Sequence, residues 1–507
     1  MSVSEGGLEP PPSIRGLAPQ ASASAISATR TGCLQAPWGG ACNEPELYTA
    51  YRPNKKSAPR PSLRSMTQTT NSRPEDEVVG ICRDLIRIDT SNYGDGSGPG
   101  EREAADHVDR LLREVGLEPE IVESQPGRAS VVVRIPGADR ERGALCIHGH
   151  LDVVPANAED WDVDPFEAVE KDGCIWGRGA VDMKDMDAMI LACVRHIARE
   201  GIVPPRDLVV AFFADEEAGG VLGSHHLVEH RPDLFEGVTE AISEVGGYSV
   251  TVPTSDGGEK RAYLLQTAEK GIAWIRLTAT GRAGHGSVPN DENPIARLAE
   301  ALSRLAAHKW PREFIPSVRT LLDRLSEITG VAYSDEDLDE LLDHLGGAQG
   351  FVRGTLQDTS NVTMLQAGYK HNVIPQQAHA NVDCRFLPGH EDDLLRTIKE
   401  LVGEHVEIEV LHRDIALDAP FEGDLVEAMV GALRAEDPDA EVLPYCLSGG
   451  TDNKALSLLG ITGYGFAPLR LPADLDFAPM FHGINERVPT ESLRFGARVL
   501  QRLIETC

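Results

Sequence analysis

Apolar positions along this chain recur with two different periods. Val78, Ile81, Leu85 and Ile86 fall at helical spacing, and a second amphipathic helix is expected near 101–115. The runs "SVVVRI" (130–135) and "ALCI" (144–147) read as strands, and "LVVAFF" (208–213) reads as a further buried one. Between them Met186, Met189, Ile190, Cys193, Val194 and Ile197 share one helical face. Strand, helix, strand at this spacing is a βαβ unit, which builds a parallel sheet with a right-handed crossover and brings strand ends to one edge.

The texture changes at "AEKGIAWIRLTATG" (268–281), where a long strand pattern opens a new section. That section holds an expected helix at 293–308, a charged, Leu-rich helical stretch near 318–345, and an alternating strand, "AHANVDCRF" (378–386). After Pro388 the helix and strand alternation resumes and runs to a terminal helix at 491–505. The reading is one α/β domain, 66–271 and 389–507, interrupted by a smaller α+β domain at 272–388. No internal repeat stands out.

Residues 1–65 differ in kind. They are rich in Pro, Ser, Ala and Gly, without a period, and carry more Arg and Lys than acid. Such a segment cannot bury enough apolar surface to order itself, so it reads as a disordered extension. The native start is expected at Met66, with the upstream residues translated from a mis-set frame.

The whole chain has 507 residues and 41% apolar content, enough for real cores. Its formal charge of -32 repels phosphates, which argues against nucleic acid or an anionic membrane and for a small-molecule substrate or metal cations. No apolar run approaches the roughly eighteen residues of a membrane span. Nine scattered cysteines without a CxxC pair suggest neither a disulfide framework nor a thiolate zinc site, and fit a reducing cytoplasm.

Five places put metal-binding side chains at a strand end or in the loop after it. These are His150 in "HGHLD", Asp182 in "GRGAVDMK", Glu216 and Glu217 in "FFADEEAGG", Glu244 in "AISEVGG" and His482 in "MFHGINERV". A lone histidine there is more often a satisfied polar residue, and an acidic pair is usually just solvated. Together, imidazoles and carboxylates without thiolate suit zinc, cobalt or manganese. Two imidazoles sharing three carboxylates would satisfy two ions if one carboxylate bridged them.

The segments "HGHLDVVP", "GRGAVDMK", "ADEEAGG", "GHGSVP", "NVIP" with "DCR", and "FHGINERV" resemble the signature segments of the M20 metallopeptidase family, in the family's order from about residue 75 to the C-terminus. The resemblance implies a zinc-exopeptidase-like α/β catalytic domain with an inserted α+β lid or dimerisation domain. By position it implies two Zn2+, with Co2+ or Mn2+ as substitutes, bridged by Asp182. His150 and Glu244 would complete one site and Glu217 and His482 the other. Glu216 would be the general base and Asp152 the carboxylate that orients His150. His285 would supply an oxyanion donor, reaching the partner subunit's site in dimeric members. Asn372 and Arg385 would bind the substrate's carboxylate, and Gly449, Gly450 and Thr451 its backbone.

The implied activity is cleavage of a peptide or N-acyl amino acid next to a free carboxylate, in a homodimer formed through the inserted domain. The stretch after the 293–308 helix is longer than in compact members and resembles the carboxypeptidase S and N-acyl amino acid hydrolase branch. A biosynthetic deacylase of acetylornithine or succinyl-diaminopimelate type is the alternative within the family. A non-catalytic metal-containing binding protein is the alternative outside it, which the intact Glu216 disfavours.

Overall fold

The computed structural model describes residues 72–507. The expected extension at 1–65 and the expected start at Met66 lie outside the described residues.

A ten-stranded mixed sheet forms the larger unit. Its centre is parallel: Ala144–His150 lies between Leu208–Phe213 and Val238–Ser243, and Thr462–Gly465 continues the parallel set. Every residue of Ala144–His150 and Leu208–Phe213 is buried, which is why both read as near-continuous apolar runs. Alternation assigns the faces. Leu145, Ile147, Val210 and Phe212 pack with apolar side chains of helices Pro74–Ile86, Lys184–Glu200 and Thr490–Thr506. Cys146, Val209, Ala211 and Phe213 pack on the other side with Leu227, Val228, Ala455 and Leu456.

Because these strands are parallel, their carboxyl ends emerge together, the edge where open α/β sheets collect their chemistry. His150 sits opposite Phe213 in register, and Ser243 ends the neighbouring strand. The next residues along the chain are therefore Asp152, Asp215 to Glu217, and Glu244.

A separate four-stranded antiparallel sheet is built from Thr359–Ala367, Gln377–Phe386, Gly271–Thr280 and Val406–Asp414. Helices Pro294–Ala307 and Glu391–Val402 cover one face, over a core of Ile275, Leu277, Ala380, Val382, Leu298 and Ile398. The opposite face carries exposed Trp274 and Met364. Period-2 alternation with one wet face is the ordinary signature of such a sheet.

The long strand pattern at 268–281 turns out to be two strands, one in each sheet. Glu259–Glu269 belongs to the large sheet and Gly271–Thr280 to the small one, with Lys270 between them. Gly271 has no room for a side chain, since a Cβ there would stand 2.0 Å from the Phe386 ring. The returning chain follows the same route: Val406–Asp414 pairs with Gly271–Thr280, and Leu417–Asp418 with Ala268 and Glu269.

Two features differ from the expected 272–388 insert. The small sheet takes its fourth strand and its second helix from beyond residue 388. The Leu-rich helix Pro316–Thr329, expected inside the insert, joins the large unit's core through Val318, Leu321, Leu322 and Leu325, as do Leu341, Leu342 and Val352. The helical period was legible, but which core would receive its apolar stripe was not.

That packing carries a prediction. Leu322 is fully buried, so Leu322→Ala should cost roughly 2–5 kcal/mol in urea denaturation of the whole chain. A loss below about 0.5 kcal/mol, the scale of surface changes, would show that the helix stabilises nothing.

Candidate metal centre and active site

The strand edge brings the expected groups together. His150 Nε2 lies 3.2 Å from Asp182 Oδ1 and 3.5 Å from Glu244 Oε2. His482 Nε2 lies 3.2 Å from Asp182 Oδ2 and 3.0 Å from Glu217 Oε2. Asp182 thus turns one oxygen toward each imidazole. Glu216 Oε2 stands further back, 3.9 Å from His150 Nε2. Ligand atoms of His150, Glu216 and Glu244 fall within 4.8 Å of one another, as do those of His150, Asp182 and Glu217.

The glutamate pair is positioned differently from a strand end. The strand stops at Phe213, Asp215 adopts a left-handed φ of 68°, and Glu216–Ala218 forms one 3-10 turn. The two glutamates separate because of this turn. Asp152 shapes it: Oδ1 accepts from the Glu216 N–H at 3.0 Å, and Oδ2 from the Glu217 N–H at 3.1 Å and from Asn92 Nδ2 at 2.8 Å. The expected contact to His150 is looser, with the carboxylate 3.6 Å from Nδ1. The closer partner of Nδ1 is the Asp152 main-chain oxygen at 3.0 Å.

Burial pushes the Glu244 carboxyl up to about 8, against the pull of His150. Burial and then neighbouring acids also raise Glu216 and Glu217. Asp182 runs the other way: burial opposes its ionisation, but hydrogen bonds to His150 and His482 hold it below the carboxylate range. His482 is pushed up to about 10 by Asp182 and Glu217. Four acids and two imidazoles gathered at one strand edge make an oxygen and nitrogen donor set that fits divalent cations.

A cavity of about 450 Å3 opens beside this cluster. Its large-unit wall includes Gly449, Gly450, Thr451 and Lys454, and its small-unit wall includes Ile272, Trp274, Arg385, His412 and Asp414. Arg385 already carries a partner, Asp383, at 2.8 Å and 3.3 Å. The Thr451 amide and hydroxyl both donate to buried Glu269, at 3.1 Å and 2.7 Å. His285 and Asn372 lie elsewhere. They meet on the small unit, where the Gly286 N–H donates to Asn372 O at 2.9 Å, and neither lines the cavity. His285 is exposed and pairs with Ser287.

His148 has no place in the cluster. It is buried, bonds Asn453 Oδ1 at 2.9 Å and is pushed down to about 4 by burial. Asn92, Glu269 and Glu486 were missed from the sequence. Glu486 lies inside "FHGINERV" and Glu269 at the start of "EKG", but nothing local tells a buried carboxylate from a solvated one.

Strand ends and loops thus gather carboxylates and imidazoles beside a cavity as a candidate metal-binding group. Residues 146–506 match the model of peptidase family M20/M25/M40, and the chain belongs to this family of amide-bond hydrolases. It is 27% identical over 452 residues to an N-fatty-acyl-amino acid synthase/hydrolase of Xenopus tropicalis, covering 85% of each chain. It is 27% identical over 444 residues to aminoacylase-1 of Homo sapiens, covering 86% of this chain and 97% of that one. Its fold is similar to that of an M20 family metallo-carboxypeptidase from Sulfolobus solfataricus, with a TM-score of 0.65 at 18% identity, covering 85% of this chain and 99% of that one.

Removing the Asp152 carboxylate should orphan two backbone N–H groups. Asp152→Ala is therefore expected to lower stability by about 2 kcal/mol or more, measured by urea denaturation with a chelator present throughout. An unchanged midpoint would show that the turn holds without it.

Proposed function

We propose that the chain is a two-zinc hydrolase that cleaves an apolar N-acyl amino acid, or a peptide, at the amide next to a free carboxylate. The observation that carries this is Asp182, whose two oxygens face two imidazoles at 3.2 Å each. Asp182 would bridge, with His150 and Glu244 on one side and Glu217 and His482 on the other. When bound, the pair of ions supplies the positive charge that polarises the amide carbonyl and acidifies a water. Glu216 holds no close partner of its own in this reading, and its raised affinity for a proton suits a general base. It takes the proton from the attacking water and delivers it to the leaving nitrogen.

The substrate's carboxylate would be read by Arg385, with Asn372 arriving beside His285 across the homodimer, and its backbone by the loop Gly449 to Thr451. Arg385 must first loosen its pair with Asp383, an exchange of one carboxylate for another that a guanidinium accommodates. The apolar side chains Ile272, Trp274, Leu447 and Phe481 beside the cluster favour an apolar acyl group or side chain over the charged acetylornithine or succinyl-diaminopimelate. The names of the N-fatty-acyl-amino acid hydrolase and of aminoacylase-1 point the same way. His285, remote from its own chain's cavity, would donate to the oxyanion across a homodimer formed by the small unit. The described cysteines are free, which supports a reducing compartment such as the cytoplasm.

Two variants test this together. With an N-acyl amino acid as substrate, Glu216→Gln should lose about a hundredfold to ten-thousandfold in turnover at unchanged metal content. His285→Ala should lose about a hundredfold or more. Mixing the two should restore activity as subunits exchange. Retention of more than a tenth of the activity by Glu216→Gln sinks the base assignment, and no recovery on verified exchange sinks the cross-subunit donor.

A further inference from the structure

Glu486 is fully buried, four residues beyond His482, and takes no part in the reaction as read above. Its two oxygens are fully employed. Oε2 accepts from Arg178 Nη1 at 2.8 Å and from the Gly179 N–H at 3.1 Å. Oε1 accepts from the Val181 N–H at 2.7 Å and from the Asp182 N–H at 3.2 Å. Its main-chain oxygen accepts from the Gly177 N–H at 3.0 Å. The segment from Gly177 to Asp182 therefore wraps round one carboxylate, and successive backbone N–H groups converging on an anion make a stiff nest. Arg178, the counter-charge, is itself held, with its guanidinium 5.2 Å from the centre of the Trp161 ring.

Geometry gives this staple a purpose. Asp182 and His482 are three hundred positions apart in sequence, and each is delivered by a loop. His482 is more than half exposed and sits at a left-handed φ of 57°, so little packing fixes its ring. Glu486 joins the two loops directly, because it lies on the loop that carries His482 and bonds the amide of Asp182. The His482 half of the cluster depends on it twice, once through each partner. The His150 half, built on a rigid central strand, depends on it once.

We propose that Glu486 is a positioning residue that locks the His482 loop to the Asp182 loop and thereby sets the affinity of the metal position formed by Asp182, Glu217 and His482. This rests on the two-metal reading of the site. Outer partners of this kind typically contribute tenfold to a hundredfold in metal affinity.

The test is a metal titration of the whole metal-free chain. Zinc affinity is read by competition with a chelator, and cobalt occupancy by the absorption of the bound ion. The variant Glu486→Gln keeps the shape but turns N–H toward two of the four donors. The control is Leu500→Ala, a fully buried core change on the terminal helix. Wild type and control are expected to bind two ions per chain, and Glu486→Gln is expected to bind one of them at least tenfold more weakly. Affinities in Glu486→Gln within threefold of the control would overturn the proposal and leave the two-metal reading standing. Fewer than two ions in the wild type would overturn both. If Glu486→Gln does not fold, Arg178→Gln, which removes one donor from the same carboxylate, is titrated against the same criterion.

Discussion

Negative charge has to be buried for this site to exist, and the surrounding structure answers that requirement. Burying an unpaired carboxylate is costly, yet Glu216, Glu217, Glu244 and Asp182 crowd one strand edge. Behind them three buried acids find donors. Asp152 caps the Glu216 turn, Glu486 gathers the Asp182 loop, and Glu269 takes the Thr451 amide and hydroxyl. The four acids in front have fewer such donors, chiefly His150 and His482 with the Val154 N–H on Glu217. Their unmet demand is what a pair of divalent cations would satisfy.

Much of this was legible in the sequence because the large unit's strands are buried on both faces. A run such as "LVVAFF" has one reading, and the residues that follow it must land at the sheet edge. His150, Asp182, Glu217, Glu244 and His482 were therefore recoverable from loop position and from the family pattern. What could not be read is whatever depends on distant partners. Asp152 was assigned to His150, whose Nδ1 its carboxylate approaches to 3.6 Å, but nothing local announced that it also accepts from the Glu216 and Glu217 amides. The helix Pro316–Thr329 was recognised by its period but placed with the wrong neighbours, since an apolar stripe does not name the surface it will meet. His285 and Asn372 lie together on the small unit, away from this chain's cavity, and whether they face a partner's site is not legible from one chain's periodicity.

The cavity divides its labour between two separately built walls. The large unit contributes the charged cluster and the Gly449 to Thr451 loop. The small sheet contributes its exposed face, where Trp274 and His412 stand with ring centres 4.9 Å apart. Side chains on an exposed sheet face can change without disturbing a core, so one wall of the cavity is free to vary while the buried cluster constrains the other.

The helical excursion between the two sheets has a mechanical consequence. A simply inserted domain crosses to its host twice and can swing as a leaf on one hinge. Here the chain passes between the units at Lys270, again on either side of residues 316–353, and finally between Asp414 and Leu417. Lys270 ties the crossings together, since its ammonium donates to Gly354 O at 3.0 Å and Gln357 O at 2.7 Å. Four points of attachment remove most rotational freedom and leave small sliding displacements as the soft mode.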